Sequence, residues 1–138
     1  MVISPKEFQK MMRSLKSKMR TEFDREQFKT IKNIKDFEKH REAPHWLYFY
    51  AREILEARFP PGESIIATNA IYALYYAQNV LGKRFLQGES AIAKSAQCSL
   101  RYARNVLKDR FPQGEESVAS DIFTRSPYQE LFDMRFPE

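Results

Sequence analysis

The chain reads Arg58-Phe59-Pro60-Pro61-Gly62-Glu63, and 26 residues later it reads Arg84-Phe85-Leu86-Gln87-Gly88-Glu89. After a further 26 residues it reads Arg110-Phe111-Pro112-Gln113-Gly114-Glu115, and Arg135-Phe136-Pro137-Glu138 forms a truncated fourth copy. Self-similarity at a fixed period is typical of stacked structural units that bury their apolar faces against one another. The sequence therefore predicts three 26-residue repeats and a truncated fourth over residues 44–138.

Each copy also contains a start signal for a long helix. Asn69, Ser95 and Asp121 follow the same period, and their side-chain oxygens can accept hydrogen bonds from the free amides of a first turn. The first copy has Ala43-Pro44 instead, and proline is tolerated at the first helical position. Long helices are therefore predicted to begin near residues 44, 70, 96 and 122.

The long helices show apolar residues at steps of three and four, with a small alanine at positions 51, 77 and 103 that would let a neighbouring helix approach closely. We expect them to end near Phe59, Phe85 and Phe111. Proline follows in two copies and disfavours helical geometry in the residue before it, and glycine then permits a reversal. Short second helices are predicted at 63–67, 89–93 and 115–119, each opened by a glutamate that the helix dipole favours.

Residues 1–43 differ from the repeats. Ser4-Pro5-Lys6-Glu7 has the form of a capping box with a first-position proline. Apolar residues then follow at helical spacing, namely Phe8, Met11, Met12, Leu15, Met19 and Phe23. This pattern predicts a basic amphipathic segment that covers the open end of a solenoid-like stack. The whole chain is expected to be all-α and to form one structural domain.

The formal net charge of +5 is concentrated at the N-terminus. Residues 1–40 contain eleven Lys or Arg and six Asp or Glu, whereas residues 41–138 contain twelve of each. The cations of the first helix fall mostly off its apolar stripe, and we select them as candidate partner-binding residues: Lys10, Arg13, Lys16, Lys18 and Arg20. A basic segment beside a neutral body suits an acidic partner, either nucleic acid or protein, and a solvated helix face is the alternative.

Bulk composition predicts the compartment. The single cysteine, Cys98, cannot form an internal disulfide, which favours a reducing environment. No apolar run approaches the ~20 residues of a membrane span, and the polar, basic start of the chain does not resemble a signal peptide. We therefore expect a cytoplasmic protein without a membrane partner; its oligomeric state is left open.

The repeat, with its Tyr-Ala pair, its Val-Leu or Ile-Leu pair, Arg-Phe-Pro-x-Gly-Glu and Ile-Ala, resembles helical repeats of uncharacterised tailed-bacteriophage proteins. The resemblance covers residues 44–119. It implies a small phage protein, acting in the cytoplasm of the host cell. No catalytic residue carries over from it.

No motif in the chain indicates catalysis. His40 and His45 are five residues apart, which does not place both on one helix face, so neither a metal site nor a cofactor is expected. Gly82-Lys83 lacks the upstream glycine of a phosphate-binding loop and falls inside a predicted helix. The periodic arginines at 58, 84 and 110 are expected to cap their helices or to pair with the repeat glutamates; a ladder that faces phosphates or an acidic protein is the alternative.

The run Trp46-Leu47-Tyr48-Phe49-Tyr50 is too dense in large side chains for all five to face one core. Some must meet the N-terminal helices, and Trp46 and Phe49 are the candidates for an exposed binding patch. The sequence thus favours a non-enzymatic protein-interaction module, as a phage-encoded modulator of a host or viral assembly. A nucleic-acid-binding accessory protein that uses the basic helix is the alternative.

Overall fold

The computed structural model describes residues 3–18 and 22–137, and the side chains of all of these except 22–24. Over these ranges the chain is all-α, as predicted, and forms a stack of two-helix repeats behind an N-terminal helical cap. The described residues form the α-helices α1 (Pro5–Lys18), α2 (Glu22–Lys29), α3 (Ile34–Lys39), α4 (Ala43–Phe49), α5 (Glu63–Ile66), α6 (Ala70–Tyr76), α7 (Glu89–Ala93), α8 (Ala96–Tyr102), α9 (Glu115–Ala119) and α10 (Arg125–Phe132).

Three of the predicted long-helix starts are confirmed. The Asn69 side chain accepts hydrogen bonds from the amides of Ile71 and Tyr72, at 3.0 and 3.1 Å, and Ser95 accepts from Cys98 at 3.2 Å. The fourth start was predicted near 122 and is wrong, because α10 begins at Arg125. Pro127 explains the delay: a helix that began at 122 would place proline in its interior, where it has no amide to donate and its ring clashes with the preceding turn.

Each long helix changes geometry in its second half. α4, α6 and α8 continue as π-helical stretches at Tyr50–Leu55, Ala77–Leu81 and Ala103–Leu107. In the second repeat the Gly82 amide donates to the carbonyl of Ala77, five residues back, at 2.9 Å. The alanines at 51, 77 and 103 lie in these stretches and are completely buried, in agreement with the close packing that their recurrence predicted.

The long helices end about four residues before the predicted phenylalanines. Glu56, Gly82 and Lys108 adopt the left-handed conformation, with φ of 53°, 65° and 55°, and terminate the helical hydrogen bonds. Gly82 therefore lies at a helix end and not inside a helix as predicted from the sequence. Left-handed geometry at a glutamate and a lysine is not apparent from residue type, which is why the predicted ends fall too late.

The reversal after each phenylalanine is a short 3₁₀ turn, at Pro60–Gly62, Leu86–Gly88 and Pro112–Gly114. Its glycine has a negative φ, for example −92° at Gly88, so the predicted need for conformational freedom is wrong. The glycine is instead required by space. A Cβ at Gly88 would lie 2.7 Å from Cδ2 of Phe85 and 2.8 Å from Cβ of Ala73.

The N-terminal helices cover the first repeat. Ser4 caps α1, because its Oγ accepts from the Glu7 amide at 3.2 Å and donates to the Glu7 carboxylate at 3.0 Å. Met11 and Leu15 of α1 and Phe37 of α3 are completely or almost completely buried in the common core. Met19 belongs to the predicted stripe but lies outside the described residues.

Candidate functional site

The periodic arginines have a structural role. Arg58 makes two hydrogen bonds to the carboxylate of Glu63, from Nε at 3.1 Å and from Nη2 at 2.9 Å. Arg84 and Arg110 make the same pairs with Glu89 and Glu115. The geometry agrees with the expectation that these arginines pair with the repeat glutamates.

A tyrosine of the following repeat completes each pair. The Tyr76 hydroxyl donates to Oε2 of Glu63 at 2.6 Å and accepts from the Phe59 amide at 2.8 Å. Tyr102 and Tyr128 make the equivalent bonds to the next two glutamates. We call each set an Arg-Glu-Tyr cluster. Because the glutamate belongs to one repeat and the tyrosine to the next, the clusters join neighbouring repeats.

The clusters raise the pKa values of their tyrosines and lower the pKa of Glu115. Burial, together with the hydrogen bond to Glu115, raises the pKa of Tyr128 to about 12. Burial and the glutamate likewise raise the pKa values of Tyr76 and Tyr102. The Arg110 guanidinium lowers the pKa of Glu115. Each tyrosine therefore holds its proton more tightly than an exposed tyrosine does, and it keeps donating its hydrogen bond to the glutamate of the preceding repeat at neutral pH.

The candidate cations of α1 are exposed where the structure describes them. Lys10, Arg13, Lys16 and Lys18 all lie on the solvent side of the helix, and Arg20 lies outside the described residues. Lys16 also borders a cavity of about 350 Å³, which Arg25 and Lys29 of α2 line as well. Lys29 pairs with Glu26 at 3.0 Å. Lys16 of α1 therefore shares one part of the surface with Arg25 and Lys29 of α2.

Trp46 does not form a binding patch. Its side chain is 3 % exposed and is packed in the core between the N-terminal helices and the first repeat. The ring centroids of Phe28, Phe37 and His40 lie 5.1, 5.7 and 4.8 Å from that of Trp46. The prediction of an exposed Trp46 is wrong, because the indole anchors the N-terminal cap to the repeats and leaves almost no surface for a partner.

Phe49, the other aromatic candidate, is partly exposed and borders a cavity of about 230 Å³ at the junction of the first two repeats. We call this the aromatic cavity. Its lining residues come from the long helices of both repeats: His45, Tyr48, Phe49, Arg52, Glu53, Tyr72, Tyr75 and Asn79. Of these, only Phe49 was selected from the sequence as a binding residue.

Three tyrosines form the wall of the aromatic cavity. The ring centroids of Tyr48, Tyr72 and Tyr75 are 5.9, 5.9 and 6.1 Å apart, and His45 stacks on Tyr72 at 5.2 Å. The Tyr48 hydroxyl accepts hydrogen bonds from Arg52 at 3.1 Å and from Asn79 at 2.9 Å. The bond from Asn79 holds the two repeats together at the cavity.

The cavity occurs where the repeats differ. Tyr72 and Tyr75 correspond to Cys98 and Arg101 in the third repeat, which therefore cannot form the same wall. The signal in the sequence was the combination of large aromatics at positions that are not shared between copies. It could be recognised only once the fold had placed residues 48 and 75 side by side.

The exposed side of the long helices continues past the cavity to the third repeat. Asn105 Nδ2 donates to Oε1 of Gln78 at 3.4 Å and joins the long helices of the second and third repeats. The hydrogen bond from Asn79 to Tyr48 joins the long helices of the first and second repeats in the same way. Beyond this contact the long helix of the third repeat and its C-terminal residue expose three cations, Arg101, Arg104 and Lys108. We call the surface from the aromatic cavity to these three cations the outer face.

Within the described ranges, no group of three or more His, Cys, Asp or Glu side chains is placed to hold a metal ion. The same part of the chain contains no helix that is both long and apolar enough to cross a membrane. No protein-family model matches the chain, and neither a curated protein nor a solved structure shows significant similarity to it.

Proposed function

We propose that the protein is a non-enzymatic protein-binding module whose partner contacts the outer face at the aromatic cavity. The observation that carries this proposal is the group of partly exposed aromatic side chains, Phe49, Tyr72 and Tyr75, around a concave surface. Tyrosine and other large aromatics supply much of the binding energy at protein interfaces, where they occupy well-packed pockets.

The contrast between positions that are shared by the repeats and positions that differ supports the same function. The Arg-Glu-Tyr clusters, the buried alanines and the turn glycines are shared between copies and hold the stack. The outer-face positions change from Phe49 to Tyr75 to Arg101 between copies. Repeat proteins typically present such a varied surface on a constant scaffold. The resemblance to tailed-phage repeats adds the further proposal of a phage-encoded modulator of a host or viral assembly, active in the cytoplasm of the host.

Site-specific photo-crosslinking in the producing cells tests this function. A photoreactive residue at position 75 should yield a discrete crosslinked protein, and Phe49→Ala should abolish that product. The control is Leu86→Ala, because Leu86 belongs to the same repeat and is 69 % exposed but lies on the 3₁₀ turn, away from the cavity. Equal crosslinking in wild-type and Phe49→Ala proteins would contradict the proposal.

A second function, nucleic-acid binding through α1, is supported by the exposure of Lys10, Arg13, Lys16 and Lys18 and by the position of Arg25 at the cavity beside Lys16. Such binding would be mainly electrostatic. We would change Lys10, Arg13, Lys16, Lys18 and Arg20 to Gln and titrate single- and double-stranded nucleic acid at several salt concentrations. The salt slope should shrink by about one unit for each phosphate-binding cation that is replaced. A wild-type protein that binds no nucleic acid at low salt would exclude this function.

A further inference from the structure

The aromatic cavity has room for one anchoring side chain. Its volume of about 230 Å³ is below the roughly 300–1,000 Å³ of pockets that enclose whole small-molecule ligands. Its walls are tyrosine and phenylalanine rings, and the charged pair at its rim, Arg52 and Glu53, is mutually compensated at 3.7 Å. An aromatic or long aliphatic side chain therefore fits the cavity better than a charged group does.

Among the described residues, the unpaired positive charge of the outer face is concentrated at the end formed by the third repeat. Arg101, Arg104 and Lys108 are all exposed, and no carboxylate in the described part of the chain lies within 4.0 Å of their charged nitrogens. The guanidinium of Arg104 bonds the neutral side chain of Asn105, at 3.2 Å. Complementary charge at an interface favours the correct partner and accelerates association.

The two features lie on one continuous surface. The Tyr48–Asn79 and Gln78–Asn105 hydrogen bonds link the three long helices side by side along it. Neighbouring packed helices are about 8–10 Å apart, so the cations of the third repeat lie roughly 12–15 Å from the cavity. An extended chain covers that distance in about four residues.

From this geometry we propose that the outer face binds an acidic peptide segment that inserts one aromatic or aliphatic anchor into the aromatic cavity. The acidic residues of the segment begin about four positions from the anchor and pair with Arg101, Arg104 and Lys108. This inference rests on the proposed function, because it specifies the chemistry of the partner at the same surface.

A defined peptide tests the inference with the full-length protein. The probe is a fluorescein-labelled peptide with one tryptophan, a spacer of about four Ser and Gly residues and a run of glutamates, measured by fluorescence anisotropy. One comparison peptide replaces the glutamates with lysines, and another replaces the tryptophan with serine. We expect the Trp-Glu peptide to bind in a salt-dependent manner and each comparison peptide to bind at least about tenfold more weakly.

Two charge-reversal variants separate specific pairing from bulk attraction. Arg101→Glu with Arg104→Glu should weaken the Trp-Glu peptide about tenfold. Lys10→Glu with Arg13→Glu produces the same change of formal charge, from +5 to +1 since each replacement removes two units, and should leave the affinity within about twofold. Arg101→Gln with Arg104→Gln provides the milder change if charge reversal disturbs the fold, and should weaken binding in the same direction.

Equal losses from the two charge-reversal variants, equal binding of the lysine peptide, or no binding of the Trp-Glu peptide at low salt would each overturn the inference. The proposed protein-binding function is tested independently of this inference. A partner that crosslinks at position 75, depends on Phe49 and is unaffected by Arg101→Glu with Arg104→Glu would support the protein-binding function and exclude the acidic segment.

Discussion

At the scale of single residues, the Arg-Glu-Tyr clusters explain how a glutamate can be buried in a small helical protein. Glu63 is 1 % exposed, yet its carboxylate accepts two bonds from Arg58 and one from Tyr76. A buried charge is tolerated only when it is paired and hydrogen-bonded in this way. Within the described residues every buried side-chain nitrogen and oxygen has a hydrogen-bond partner.

The tyrosine hydroxyl should therefore contribute substantially to the free energy of unfolding, although it is a single polar group. Tyr102→Phe removes the hydroxyl that donates to Glu89 at 2.6 Å and accepts from the Phe85 amide at 2.9 Å, so both groups are left without that partner. We expect the free energy of unfolding to fall by about 1–3 kcal/mol, measured by urea denaturation. The control is Tyr75→Phe, on the outer face, which should change stability by less than about 0.5 kcal/mol. Similar effects of both replacements would show that the cluster contributes little.

The tyrosines also predict a loss of stability in alkali. The pKa of Tyr128 is about 12 in the folded chain, compared with the ordinary value of 10.0 for an exposed tyrosine. Because the folded state holds this proton more tightly, its stabilising effect is complete below pH 10 and is lost as the pH rises through about 12. Thermal denaturation over this range should show a falling Tm, and Tyr128→Phe should make the fall less steep. An unchanged slope in the variant would contradict this assignment.

The left-handed helix ends provide a further test. Gly82 has φ of 65° and open space around its missing Cβ, so Gly82→Ala should destabilise by backbone strain alone, by about 1–2 kcal/mol. Lys108 has the same conformation without being glycine, and Lys108→Gly should stabilise the protein by about 0.5–1 kcal/mol because it relieves that strain. Changes of opposite sign in the free energy of unfolding, measured by chemical denaturation, would support backbone strain at these two positions. Destabilisation by both replacements would contradict it.

At the scale of elements, the sequence predicted what depends on local chemistry and missed what depends on assembly. The caps at Asn69 and Ser95 and the starts at 70 and 96 followed from side chains that act on their own first turn. The π-helical stretches were missed because the apolar spacing within them does not differ from that of an α-helix over so few residues. The aromatic cavity was missed because Tyr48 and Tyr75 meet only across two repeats.

The packing of the 3₁₀ turn against the long helix should be intolerant of even one methyl group. Gly88→Ala would bring a Cβ to 2.7 Å from Phe85 and 2.8 Å from Ala73, distances that require the turn to move. We expect a destabilisation of about 1–3 kcal/mol, the usual cost of overpacking. Gly82→Ala serves as the comparison with no steric component. A melting temperature unchanged by Gly88→Ala would show that the turn is free to shift.

At the scale of the whole molecule, one arrangement is used three times. Each of three tyrosines, Tyr76, Tyr102 and Tyr128, donates to the glutamate of the preceding repeat, thirteen residues earlier in the chain. At the N-terminal side the first tyrosine of this series, Tyr50, is buried, and its raised pKa reflects burial and the nearby Glu7 carboxylate of α1. The cap thus occupies the place of a preceding repeat.

A protein with one repeat fewer should still fold. Deletion of residues 70–95 places Glu63 thirteen residues before Tyr102, which restores the cluster spacing. We expect cooperative urea unfolding with a smaller m-value, in proportion to the reduced buried surface. Deletion of residues 72–100 shortens the long helix by three residues and moves Tyr102 away from Glu63, so it should not give a cooperative transition. Equal behaviour of the two deletions would contradict the register argument.

The Arg-Glu-Tyr cluster has a consequence for the gene. Because the same cluster recurs at three junctions between repeats, a recombination event that adds or removes 26 codons in frame preserves the spacing from glutamate to tyrosine. The outer-face codons are free of this requirement, since residues 49, 75 and 101 take no part in the clusters. Recombination can therefore change the number of repeats, and point mutation can change the outer face, independently of each other.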